Sequence, residues 1–186
     1  MIALRTWRAV LLALSCGAGL PALADMTMDR HTIVPADIPR DAPRFEDFRV
    51  PLYTGKPARP DVRSKARSRL FRTELREAAL EGVNFAGHYR LTGWGCGAAC
   101  FQWAIIDIQS GQVFHPANLG STDHVNVAES LYEGGIQAVH IRPDSRLLVV
   151  IGGINEDPKL RGISWFVWDG RQLKRIRFVA KPYGPD

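Results

Sequence analysis

The chain has only three cysteines among its 186 residues and no pronounced excess of either charge. No segment carries the ~20 consecutive apolar residues that a membrane-crossing helix needs. The cysteine count is too low for a disulfide-packed miniprotein. Lys and Arg number 24 against 19 Asp and Glu, a formal net charge of +5. That mild excess is no nucleic-acid footprint by itself, so no specific nucleic-acid partner is expected. Catalytic signatures are also missing. None of His31, His88, His115, His124 and His140 sits in an H-E-x-x-H pattern, and there is no G-x-S-x-G and no P-loop. The glycine-rich stretch Gly93-Trp94-Gly95-Cys96-Gly97 leads into another strand rather than a helix, so it makes no phosphate cradle. No cofactor is implied, and no metal site is expected.

What is present is an ordinary globular balance, 46% hydrophobic and 23% charged, which excludes wholesale disorder. The N-terminus has the composition of a secretory leader. Arg5 and Arg8 form a positive n-region, Ala9 to Leu20 an apolar run, and Pro21-Ala22-Leu23-Ala24 places alanine at −3 and −1 of a cut between Ala24 and Asp25. Residues 1–24 therefore read as a signal peptide, and the mature chain as a periplasmic or secreted protein with no transmembrane segment. Lipidation at Cys16 is the weaker alternative, because Ala13 stands at −3 where leucine is favoured and the apolar stretch before Cys16 is short.

Residues 25–60 hold six prolines and read as an extended arm that wraps the domain or is partly mobile, with Phe45, Phe48 and Val50 available to dock it. Residues 61–182 read as one globular domain. Its first segment, 61–81, predicts a helix with Asp61 as N-cap and Gly82 just past the end. Leu70, Phe71, Leu75 and Ala78 gather on one side of it. Lys65, Arg69, Arg72 and Arg76 line the other and form a candidate anion-binding surface. A solvated helix face is the plainer reading of that stripe.

From residue 85 the pattern changes to period two with turns, giving candidate strands at 85–94, 101–108, 112–115, 137–142, 146–152, 163–168 and 172–178. Asp169-Gly170 is a two-residue hairpin signal. Residues 116–136 read as a long surface loop. The order of strands in 88–114 is echoed faintly in 146–176. The fold class that follows is mainly β with α+β character: an antiparallel β-meander arranged as a sandwich or partial barrel, with one N-terminal amphipathic helix.

Cys96 and Cys100 are the two cysteines left after leader cleavage. In a straight strand they would lie ~13 Å apart, and a disulfide needs Cα atoms within ~7 Å. The chain must therefore turn through Gly97-Ala98-Ala99, and a disulfide would staple two antiparallel strands. Placing Cys96 opposite Cys100 puts Gly93 under Trp103, Leu91 opposite Ile105 and Tyr89 opposite Asp107. That face is the core candidate. The other face presents His88, Arg90, Thr92 and Trp94 in a row, the candidate ligand surface, or else an ordinary mixed outer face. Besides a structural disulfide, the two cysteines could form a redox pair, although the three-residue spacer departs from C-x-x-C. A metal site with His88 lacks a second paired ligand motif.

Asn84-Phe85-Ala86-Gly87-His88-Tyr89, followed by Trp94-Gly95-Cys96-Gly97 and Cys100, resembles a family of uncharacterised exported bacterial proteins. Its members share an Arg-rich helix before this segment, a stretch like Asp144 to Leu148, and a turn like Trp168 to Gly170. The resemblance covers roughly residues 63–178. It implies an exported location and assigns no catalytic role. The function expected first is a non-enzymatic binding module whose partner is an envelope component or another exported protein, with the hairpin row and the 116–136 loop as contacts. The alternatives are a thiol redox protein using Cys96 and Cys100, and a hydrolase centred on His88 with Asp107 and a serine. Glu156 and Asp157, beside Asn155, could bind a hard cation or simply be solvated.

Overall fold

Period-two alternation builds eight antiparallel strands into one open sheet, in the order β1-β2-β4-β6-β7-β8, with β3 on β2 and β5 on β6. The computed structural model describes residues 30–184. The leader, its cleavage point and Cys16 lie outside the described residues. The strands are β1 Tyr89–Gly97, β2 Cys100–Asp107, β3 Val113–Phe114, β4 Ser121–Asp123, β5 Val139–Arg142, β6 Ser145–Ile154, β7 Asp157–Trp168 and β8 Leu173–Ala180. The fold is mainly β, as expected.

Three residues join two halves of this sheet. β4 pairs Thr122 with Phe101 of β2 on one side and with Ile154 of β6 on the other. The buried indole of Trp103 donates to Thr122 Oγ1 at 2.9 Å across the same junction. Residues 116–136 are therefore not a plain surface loop. They carry the strand that links β1–β3 to β5–β8, a strand too short to show a period.

The inner faces of the two halves meet. Tyr89, Leu91, Trp103 and Ile105 share one apolar cluster with Val139, Leu148, Val150, Phe166, Trp168 and Leu173. Alternation sends the intervening residues outward, so each half also needs a cover. On β5–β7 the outer residues Leu147, Val149, Ile151, Ile163 and Trp165 lie beneath Ile33, Ala42, Phe45 and Phe48 of the arm. On β1–β2 the outer residues Ala104, Ile106 and Ile108 lie beneath Leu75, Ala78 and Ala79 of a helix.

The β1–β2 register follows the expected pairing from Tyr89↔Asp107 through Gly95↔Phe101, then slips. Gly97 pairs with Cys100, so Cys96 is the extra residue of a bulge and the loop shortens to Ala98-Ala99. The disulfide between Cys96 and Cys100 is present, with Cα atoms 5.1 Å apart. Trp103 covers bare Gly93 so closely that a Cβ there would sit 2.8 Å from the ring.

The single helix expected over 61–81 is two. α1 spans Ala66–Leu70 and α2 spans Arg72–Leu80, with Phe71 between them at φ −106°, ψ 34°. The break lets Phe71 stack on Trp94, ring centroids 4.1 Å apart. It also turns Leu70 outward, to 76% exposure, so Leu70 does not join the apolar face. Asp61 caps no helix. Its carboxylate accepts the N–H groups of Arg63 and Ser64 in a turn ahead of α1. Among the described residues no helix is long and apolar enough to cross a membrane.

Candidate functional site

Two concave sites stand out, one basic and one centred on His88. The basic one lies between the end of the arm and α2. It is an open groove of about 680 Å³, walled by residues 57–63 on one side and by Arg76, Ala79 and Leu80 on the other. The arm wall is held in place by backbone bonds to the β2–β3 turn: Ala58 N–H to Ile108 O at 2.8 Å and Asp61 N–H to Gly111 O at 2.7 Å. Gly111 must be glycine here. Its φ is +82°, and a Cβ would meet the Arg59 carbonyl oxygen at 2.2 Å.

Charge around this groove is one-sided. Between residues 56 and 76 eight Lys or Arg stand against two acids, Asp61 and Glu74. Burial has little to do with Asp61, whose carboxyl is held below its usual range by the Ser64 hydroxyl and by the backbone N–H groups of Arg63 and Ser64. Arg59, Arg63 and Arg76 line the groove without any ion pair among the described residues. Of the four residues expected on the anion-binding surface, Arg76 lines the groove. Arg69 donates to the Arg63 carbonyl at 2.8 Å, and Arg72 to the Arg69 carbonyl at 3.4 Å. Lys65 turns away and donates to Val113 O at 2.6 Å, with its ammonium 5.5 Å from the Phe114 ring centre. The helix break rotates Lys65 out of the stripe. Arg59 and Arg63 replace it; Arg59 precedes the expected helix, and Arg63, although inside it, falls off the stripe's helical phase. Basic density counted without regard to helical phase would have found them.

The ligand row His88, Arg90, Thr92, Trp94 is divided by the same helical cover. Trp94 lies under Phe71 and donates its indole N–H to Gln102 at 3.2 Å. Arg90 is drawn under the end of α2, bonded to Gly82 O and paired with Glu81. Burial pushes its guanidinium down, and Glu81 opposes that. Thr92 is half-buried. These three do not form a free row with His88, because the apolar β2 residues beside them needed covering.

His88 stands apart at the entrance to β1. Its Nδ1 lies 2.9 Å from Asp107 Oδ1. Asp107 also accepts Gln109 N–H, Ser110 N–H and, at 2.7 Å, the Ser110 hydroxyl. Burial works to raise the Asp107 pKa, but these bonds outweigh it and hold the carboxyl below its usual range. Asp107 accepts the Nδ1–H of His88, and in the neutral ring that tautomer makes Nε2 the acceptor. His88 lines a cleft of about 370 Å³ together with Val50, Pro51, Tyr89, Arg146, Trp168 and Asp169. Asp107 is therefore placed to orient the His88 ring. Ser110 is spent on Asp107, and among the described residues no nucleophile lies within hydrogen-bond reach of Nε2.

The remaining candidates have structural work. Asn155 Oδ1 accepts Gly120 N–H and Ser121 N–H, and Asn155 Nδ2 donates to Ala117 O, so it anchors the approach to β4. Glu156 is exposed in the same turn and Asp157 opens β7; among the described residues no group of acids, histidines and cysteines could hold a metal ion. The disulfide sits at the hairpin tip with Cys96 exposed. No protein-family model matches the chain, and no curated protein or solved structure matches it.

Proposed function

We propose that the protein is an exported, non-enzymatic binding module that docks on the anionic lipid headgroups of an envelope membrane through its basic groove and helical cover. The observation that carries this reading is the set of unpaired arginines beside exposed leucines. Arg63, Arg69, Arg72 and Arg76 have no acidic partner among the described residues, and Leu80 and Leu70 next to them are 81% and 76% exposed. Cations that attract headgroup phosphates, flanked by side chains that enter the interface, are the chemistry of a peripheral membrane surface. The leader-like N-terminus and the family resemblance support export, and they make a periplasmic or secreted location the setting for that contact.

Co-sedimentation of the chain beginning at Asp25 with phosphatidylglycerol vesicles tests it. Binding is expected to phosphatidylglycerol and not to phosphatidylcholine, to weaken with salt, and to be lost in the double variant R63E/R76E. Equal binding to both lipids, or to neither, overturns it.

A second reading has one observation in its favour. Cys96 is exposed at the hairpin tip, so the disulfide is open to attack by an external thiolate. Alkylation after mild reduction tests it: ready labelling of both thiols in the folded protein would support thiol exchange, and resistance would leave the bond a structural staple.

A further inference from the structure

The cleft beside His88 shares no residue with the basic groove. It is bounded by the arm at Val50 and Pro51, by the entrance to β1, by Arg146 on β6, and by the Asp169-Gly170 turn. Four polar groups bear on it, and their hydrogen-bonding states can be assigned one by one.

Trp168 is 1% exposed, and its indole N–H finds no acceptor. The neighbouring phenol of Tyr89, itself pushed up by burial, is biased by this indole without reaching hydrogen-bond geometry. A buried N–H without an acceptor is costly, so a bound group that supplies one is favoured. Arg146 is exposed, and its guanidinium has no partner among the described residues. His88 is held by Asp107 at Nδ1 and presents Nε2 as an acceptor. Asp169 contributes no free charge. Its carboxylate accepts Arg171 N–H and Gln172 N–H at 2.9 Å each and pairs with Lys174 at 3.0 Å. The cleft thus offers one cationic donor, one buried neutral donor and one acceptor.

We propose that this cleft binds a small hydroxylated carboxylate of sugar-acid size, its carboxylate on Arg146 and the Trp168 indole N–H and a hydroxyl donated to His88 Nε2. The hydroxyl is preferred to an ammonium as the donor. The two carboxylates nearby are already satisfied, and a second cation would face Arg146 unscreened. The volume of about 370 Å³ is at the small end for ligand pockets, which suits a single sugar ring with its acid group.

The test is titration of the protein with D-glucuronate, D-glucose and acetate, followed by the indole N–H resonance of Trp168 and by calorimetry. Glucuronate is expected to move that resonance and to bind at least tenfold more tightly than either glucose or acetate. Arg146→Ala, at an exposed position, is expected to abolish the glucuronate response. His88→Asn is expected to reduce glucuronate to the level of acetate while leaving acetate unchanged. The double variant R63E/R76E is expected to keep the full response, which separates this cleft from the membrane reading. A glucuronate titration that leaves the Trp168 resonance in place, glucose binding as tightly as glucuronate, or a response that survives Arg146→Ala or is lost in R63E/R76E, overturns the proposal.

Discussion

The two outer covers of the sheet do the same apolar job with opposite treatments of charge. On the arm cover four surface cations are answered by carboxylates, while the exposed Arg40 and Arg49 are not. Lys181 pairs with Asp37, Arg177 with Asp41, Arg142 with Glu46, and Arg44 with Asp47. On the helical cover Arg63, Arg69, Arg72 and Arg76 are answered only by carbonyls or by nothing. Both covers bury aliphatic side chains of similar kind. Stability alone therefore does not require the difference. Clustered like charges work against folding, and the proposed membrane contact would supply their counter-charge.

Charge reversal is the strongest way to break that comparison. Each Lys or Arg at an anionic membrane surface contributes about 1 kcal/mol. Reversing Arg63 and Arg76 to glutamate changes the surface by four charges, about 4 kcal/mol, and should lower partition into phosphatidylglycerol vesicles roughly a thousandfold by co-sedimentation, with no loss of folding stability. Reversing Arg177 on the arm cover should leave partition unchanged. Equal losses from the two covers would show that net charge, not the groove, governs binding.

The apolar bases of the covers give the next largest effect. Leu75 is fully buried between α2 and β2. Leu75→Ala should cost about 2–5 kcal/mol in urea denaturation, transfer and cavity terms together. Phe45→Ala removes a half-buried ring at the edge of the arm cover and should cost less. A larger cost for Phe45 would mean that the arm, not the helix, closes the fold.

These contrasts mark what the sequence made legible. Alternation and turn residues are local, so the strands and the hairpin register could be read in advance, down to Trp103 over Gly93. Reach alone required a turn between Cys96 and Cys100 if they were to pair, and they do. The bulge at Cys96 and the three-residue β4 could not be read, because each is set by a partner strand distant in sequence. The same holds for the site. Arg76 was visible on its stripe, but Arg59 and Arg63 join it only because the arm is tied down at Gly111. The His88–Asp107 pair falls opposite in the register, one residue off the direct pairing, whereas Arg146 and Trp168 reach the same cleft from the other half of the sheet. Ile33, fully buried, comes from the arm but was not among the residues expected to dock it.

Acid sharpens the comparison from another side. His115 sits under the helical cover, 2.9 Å from the buried Ser68 hydroxyl. Burial, then the charges of Arg67 and Lys65, push its pKa down from 6.5 to about 4. The unfolded chain thus takes up a proton between those values and the folded chain does not. Stability from this group is complete above about pH 6.5 and is lost progressively as pH falls toward 4, by on the order of 3 kcal/mol. His124, also pushed down by burial, acts in the same direction. In His115→Gln the slope across this window should flatten, read from urea midpoints at stepped pH. An unchanged slope would place the cost elsewhere.

The disulfide should matter less to the whole than to the hairpin tip. For so small a ring the loop-entropy model gives about 2 kcal/mol as its full contribution. The paired variant C96A/C100A should lose that much or less, with faster amide exchange confined to residues near the 98–99 turn. Loss of protection throughout β1 and β2 would show instead that the staple holds the helical cover in place.

The smallest effect expected is on the arm cover, where charge is already balanced. Lys181 Nζ lies 2.9 Å from both carboxylate oxygens of Asp37, and both side chains are about one-fifth exposed. Partial burial strengthens the attraction, but it also raises the desolvation cost, and ordering a lysine costs rotamer entropy. Asp37 keeps a second partner, the Val34 N–H at 2.9 Å, when the lysine is removed. Lys181→Ala should therefore cost about 0.5–1 kcal/mol by urea denaturation and leave vesicle partition untouched. A loss several times larger would mean that this pair clamps the arm onto β8. The arm cover would then resist disorder by its ion pairs, while the helical cover, with only Arg90–Glu81, would rest mainly on Leu75 and its neighbours.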